Sequence, residues 1–186
     1  AGQARVLKKN NWAPATYNAL NKLIKENGIL SPNYDPAHKP YAVFDCDNTL
    51  VVNDVQEALL IFQLGNLAFK VKPEQMQAVL ETGIPDVERP FVEGYENSEG
   101  KTLNVRIVAE DSAKDYEYLY KNYTGFGAGG TMSLEEIHKT DEYKDFVAKV
   151  RFLYDAINDT FDAAVGYPWV TYLFTGMTSA ETRALA

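Results

Sequence analysis

The sequence predicts an α/β fold, on three observations. Tyr41-Ala42-Val43-Phe44 is a short apolar run between turn signals, with Pro32, Pro36 and Pro40 ahead of it and polar residues behind, which is the form of a buried strand. Trp169 to Phe174 is a second such run, closed by Thr175-Gly176. Between the two lie long stretches with the 3.6-residue periodicity of helices.

The helices follow in order. Residues 14–28 open on Pro14 and Thr16, carry Leu20, Leu23 and Ile24 on one face and stop at Asn27-Gly28. Residues 54–70 repeat apolar side chains at Val55, Leu59, Phe62 and Leu67, and a short helix covers Pro73 to Thr82 with Gly83 as its stop. From 84 to 110 the chain is rich in Pro, Gly and Glu and reads mostly as loop. Residues 111–124 and 133–165 are helical again. The second stretch opens on the capping-box pattern Ser133-x-x-Glu136 and breaks near Lys139–Asp141. Thr178-x-x-Glu181 starts a final helix.

Composition limits the partners. Lys and Arg number 18 against 26 Asp and Glu, a net charge of −8 over 186 residues. A polyanion needs a concentrated basic face, so nucleic acid is not an expected partner. No apolar run reaches the ~20 residues of a membrane helix, so no membrane span is expected. Cys46 is the one cysteine, which excludes an intrachain disulfide. The chain begins Ala1-Gly2-Gln3, small residues that suit removal of a signal peptide. An extracytoplasmic (periplasmic or secreted) location is expected on that ground, with the cytoplasm left open.

The chemistry is concentrated in Phe44-Asp45-Cys46-Asp47-Asn48-Thr49-Leu50. In an extended chain residues two apart point the same way, roughly 6.5–7 Å from each other, so Asp45 and Asp47 face one space with Thr49 beyond. Two convergent carboxylates are a hard oxygen site suited to Mg²⁺. A strand that simply ends in a polar turn is the plain alternative. A calcium-binding loop is excluded, because its sixth position requires Gly and holds Leu50, and its twelfth requires Glu and holds Gln56.

The apolar strand followed by Asp-x-Asp-x-Thr-Leu resembles the first motif of the haloacid dehalogenase-like (HAD) hydrolase superfamily. Val170-Thr171-Tyr172-Leu173-Phe174-Thr175-Gly176, about 130 residues downstream of Asp45, is similar to its second motif, an apolar strand ending in Ser or Thr. The resemblance implies a HAD-like Rossmannoid core, present here as an incomplete N-terminal part, with an inserted helical cap. Residues 1–53 would be the first part of that core, 54–165 the cap, and 166–186 the strand and helix carrying the second motif. Within the superfamily the stretch Ala42 to Leu64 looks closest to phosphoserine- and phosphorylcholine-type phosphatases.

The resemblance also implies roles. Asp45 would be the nucleophile that forms an aspartyl-phosphate. Asp47 would protonate the leaving oxygen and later take a proton from water, and is expected to be partly buried. Mg²⁺ would be held by the Asp45 carboxylate and the Asp47 backbone carbonyl, and Thr175 and the Gly176 amide would hold the phosphoryl oxygens. Asp at position 47 points to phosphate esters, since the dehalogenases do not keep it and the ion-pumping ATPases carry Thr. Eleven residues follow Thr175, too few for the Lys or Arg and the acidic pair that complete such a site. A C-terminal part of the same protein is therefore an expected partner, and this chain alone is expected to be inactive or nearly so.

Weaker features have plainer readings beside them. Glu57 would touch substrate or simply face solvent. Tyr116 and Tyr120, one turn apart, would cage a quaternary ammonium group or pack within the cap. A phosphoserine-like substrate calls instead for a cap arginine, with Arg89, Arg106 and Arg151 as candidates. Gly125-x-Gly127-x-x-Gly130 matches a dinucleotide fingerprint in letters but follows no apolar strand, and reads as a flexible linker. His38 and His138 have no assigned role. The expected substrate is a small phosphomonoester, because a cap of about 110 residues would exclude larger ones. A non-catalytic binding module and a small-molecule phosphotransferase remain the alternatives to a phosphatase.

Overall fold

Pro14 has no amide hydrogen to lose at a helix start, and helix α1 begins there and runs Pro14–Asn27. The computed structural model describes residues 6–46, 49–50 and 54–185, which fall into two units, Ala1–Val52 and Asn53–Ala186. In the first unit the Asn21 side-chain oxygen accepts from the Leu7 amide at 2.9 Å, and the Tyr17 hydroxyl donates to the Leu7 carbonyl at 3.1 Å. These bonds tie residue 7 to α1. No residue of α1 is buried. Beyond it the described chain runs through turns to residue 46, with Tyr41, Val43 and Phe44 between 65% and 88% exposed.

The second unit is built from helices: α2 (Val55–Asn66), α3 (Pro73–Glu81), α4 (Val105–Asn122), α5 (Leu134–Ile137), α6 (Asp141–Thr160), α7 (Ala163–Trp169) and α8 (Ser179–Leu185). Their starts are set locally. Asp54 accepts from the Gln56 and Glu57 amides, Asn104 from Ile107, Thr140 from Tyr143 and Asp162 from Val165, each satisfying amides that a first turn leaves free. Ser133 and Glu136 form the reciprocal capping box that their spacing suggests.

Helix α4 lies against α3 and α6, and α6 continues into contact with α7. The core between them is Leu64, Met76, Leu80, Val105, Leu119, Phe146, Leu153 and Ile157, all almost fully buried. Tyr116 sits at its centre with no exposed surface, edge-on to Phe69 at 6.0 Å and tilted against Phe146 at 5.4 Å. Its hydroxyl donates to the Val71 carbonyl at 2.7 Å, so the one polar atom this ring brings inside has a partner. Residues 82–104 carry no helix but are pinned: Phe91 is buried, its amide donates to the Leu103 carbonyl, and the Val92 amide donates to the Thr160 hydroxyl. The glycines at 125–130 make a tight corner. Gly127 has φ +67°, and a Cβ on Gly130 would lie 2.4 Å from the Asn122 carbonyl, so the expected flexible linker is a packed turn.

The α/β expectation is overturned. Among the described residues there is no sheet, only three isolated bridges, at Pro90–Asn104, Glu96–Thr102 and Tyr123–Met132. Tyr41–Phe44 has no strand partner among them. Trp169 is the last residue of α7, and Val170–Phe174 forms a 3₁₀ turn that extends it. Trp169, Val170 and Leu173 are buried together while Thr171 is exposed, the i, i+1, i+4 face of a helical turn. The Trp169 indole donates to the Leu80 carbonyl at 2.9 Å and locks that geometry against α3. Residues 166–186, expected to return to a sheet, belong instead to the helical unit.

Replacing Tyr116 by Phe keeps the ring and leaves the Val71 carbonyl unpartnered. Urea unfolding of this variant is expected to show a loss of about 1–3 kcal/mol with an unchanged slope.

Candidate functional site

The acidic loop of the first unit is a turn closed on one carbonyl. The Thr49 and Leu50 amides both donate to the Cys46 carbonyl, at 3.2 and 2.8 Å. That turn carries the Thr49 hydroxyl back to the Asp45 carboxylate, to which it donates at 3.4 Å. Asp45, Cys46 and Thr49 are exposed. Asp47, expected to be the proton donor, lies outside the described residues. Asp45 therefore presents an accessible anionic oxygen with one weak hydroxyl donor on it, an arrangement open to an electrophile and equally to solvent.

Mg²⁺ requires several oxygen ligands in octahedral array. Asp45 supplies one carboxylate, and among the described residues no group of three or more His, Cys, Asp or Glu side chains is placed to hold a metal. That donor set does not fit a Mg²⁺ centre by itself.

The other expected residues are placed as follows. Thr175 and Gly176 are exposed in the turn between the 3₁₀ segment and α8. The Thr175 hydroxyl donates to the Tyr172 carbonyl at 2.6 Å, so its proton is already engaged, and Gly176 takes φ +86° against Lys70. Glu57 is exposed in the first turn of α2. With Asp54 it faces the Tyr154 phenol, whose pKa is raised first by desolvation and then by those two carboxylates. Tyr116 is the core residue described above, closed on its faces by Phe69, Phe126 and Phe146, which is packing and not a cage. Tyr120 is half-buried and stacks on Phe126 at 4.9 Å. Of the three arginines, Arg106 pairs with Glu81 and Glu88, and Arg89 lies over the Phe161 ring at 5.5 Å.

A second polar group was not anticipated from the sequence. The Lys149 ammonium on α6 contacts Asp111 and Asp115 of α4, each at 2.6 Å, and Asp145 at 3.8 Å. Desolvation raises the pKa of half-buried Asp115, with Lys149 opposing it; desolvation pulls the Lys149 pKa down, but the two α4 carboxylates together outweigh it and hold the ammonium above its ordinary value. Asp111-x-x-x-Asp115 and Asp145-x-x-x-Lys149 each show helix-face spacing in the sequence. Only the α4–α6 contact joins them into one group.

No family model and no curated protein matches the chain. It is similar to a solved structure, a conserved functionally unknown protein from Anaerococcus prevotii DSM 20548, at 34% identity with a TM-score of 0.83. The match covers 96% of this chain and 46% of that one, so the chain spans about half the length of the protein it resembles.

A pH-dependent tie closes this end of the second unit. The Lys70 ammonium and the Thr178 amide and hydroxyl all donate to Glu181 and hold its carboxyl down to about 2. A depressed carboxylate stabilises the fold above the ordinary Glu value and loses that contribution as pH falls through its own. The tie is thus present above about pH 4.5 and is lost toward about pH 2. Carboxyl NMR titration of Lys70→Ala is expected to move Glu181 upward, short of the ordinary value because Thr178 remains.

Proposed function

We propose that this chain carries the nucleophile loop of an enzyme that hydrolyses small phosphomonoesters, with Asp45 and Asp47 as its reacting groups. The observation that supports the reading is the Asp45-Cys46-Asp47-Asn48-Thr49 loop, whose turn leaves Asp45 exposed with the Thr49 hydroxyl on its carboxylate. The reacting groups all lie in that loop. Thr175, whose hydroxyl is spent on the Tyr172 carbonyl, is not among them.

In the first step an Asp45 oxygen attacks phosphorus, an acyl-phosphate bond forms and the ester P–O bond breaks. Asp47 gives its proton to the departing alkoxide. In the second step Asp47 takes a proton from water as that water attacks phosphorus, and inorganic phosphate leaves with Asp45 restored. Cys46 contributes its carbonyl to the turn, and Thr49 orients the Asp45 carboxylate. An alcohol in place of water in the second step would make the same loop a phosphotransferase.

Two lengths of protein test this, the 186-residue chain and any longer product of its gene. Each is incubated with acetyl phosphate, or with an aryl phosphate and Mg²⁺, and analysed for turnover and for a phosphoryl adduct on Asp45. The 186-residue chain is expected to give at most a low level of adduct and little turnover. Asp45→Asn is expected to abolish both signals in either length, and Asp47→Asn to lower turnover by about 10²–10⁴-fold. Turnover that survives Asp45→Asn, or no Asp45-dependent signal in either length, would overturn the reading.

A further inference from the structure

Beside the Lys149 group, α4, α6 and residues of the segment 97–103 line an open cavity of about 350 Å³. That volume is at the lower end of small-molecule sites. Its walls are Leu103, Ile107, Val108 and Phe152, and Phe152 is held edge-on by Tyr95 at 5.0 Å. Asp111 and Lys149 stand at its polar margin. The charges that meet there do not cancel. Asp111, Asp115 and Asp145 surround Lys149, and Lys114 reaches Asp111 only at 4.0 Å while lying closer to Glu110, at 3.6 Å. Four carboxylates therefore face two ammonium groups, and the margin is net negative.

We infer that this cavity is a binding site for a small organic cation, an ammonium group on an apolar body. Three features of the site select that chemistry. The apolar walls reward a hydrocarbon body with the ordinary gain of removing it from water. The exposed Asp111 carboxylate, with excess negative charge behind it, accepts an ammonium donor and repels an anion of the same shape. The Phe152 ring in the cavity wall adds an aromatic surface, which suits an organic cation as well as a hydrocarbon body. Asn97 helps fix the far wall, because its side-chain oxygen already accepts from the Glu99 and Lys101 amides. The inference is independent of the Asp45 chemistry: it concerns residues of the helical unit alone, and either can fail without the other.

Three probes that share a phenethyl body and differ in the charge of the head group test it by titration against the chain, followed by amide NMR shifts: phenethylammonium, 2-phenylethanol and 3-phenylpropionate. The cation is expected to bind about tenfold more tightly than the alcohol, with the carboxylate weakest, and to shift amides of residues 103–111 and 148–152. Raising the salt concentration should narrow the preference, as for any partly exposed charge contact. Asp111→Asn is expected to bring the cation down to the level of the alcohol, leaving Lys149 paired with Asp115. Ala148→Phe, at an exposed position on the cavity wall, is expected to abolish binding of all three without disturbing the core. Equal binding of cation and alcohol would reduce the site to an apolar groove. Binding that survives Ala148→Phe would place it elsewhere. Either result overturns the inference.

Discussion

The helical unit depends on one buried ring and its hydroxyl. Tyr116 fills the space where α4 meets α6 and the chain between α2 and α3, and it does so with a polar atom that must be satisfied in a place without water. The Val71 carbonyl satisfies it. That bond fixes the register of α4 against residues 69–71, and the register in turn sets where Asp115, the residue before Tyr116, and Asp111, one turn before Asp115, meet Lys149 of α6. The aromatic centre and the charged margin are thus consequences of one placement. The cavity beside them follows from it as well, since Ile107 and Val108 stand on the same helix.

What was legible in the sequence was local. Helix starts were read from a proline at 14, another at 73 and the capping pairs Ser133/Glu136 and Thr178/Glu181, all decided by bonds within four residues. The break near 139–141 is expected from the length of the stretch 133–165, and Thr140, which caps the next helix, supplies its local cause. The fold class was not legible, because a six-residue apolar run has no period of its own. Trp169 to Phe174 satisfies a strand and a buried helical turn equally until something outside it chooses, and the Leu80 carbonyl on the Trp169 indole does so. Residues 105–110 read as loop because Asn104, the cap that starts α4, follows a stretch, 85–100, rich in Pro, Gly and Glu that hides it.

The candidate site divides the same way. Asp45 and Thr49 were found by their spacing, and their contact is itself local. Thr175 was found by analogy to a strand end, and the absence of that strand leaves its hydroxyl turned back on its own chain. Tyr116 and Tyr120 were correctly placed on one helix face, but spacing does not say whether a face looks inward. The Lys149 group needed two helices brought together from 34 residues apart, which no local pattern encodes.

The amide of Val92 on the Thr160 hydroxyl has a wider meaning than holding a loop. It joins the last residue of α6 to a helix-free stretch more than twenty residues long, so that stretch is tied to the folded core. A wall ordered in advance asks no conformational entropy of an incoming guest. On the inference above, selectivity in that space is a matter of fit and charge.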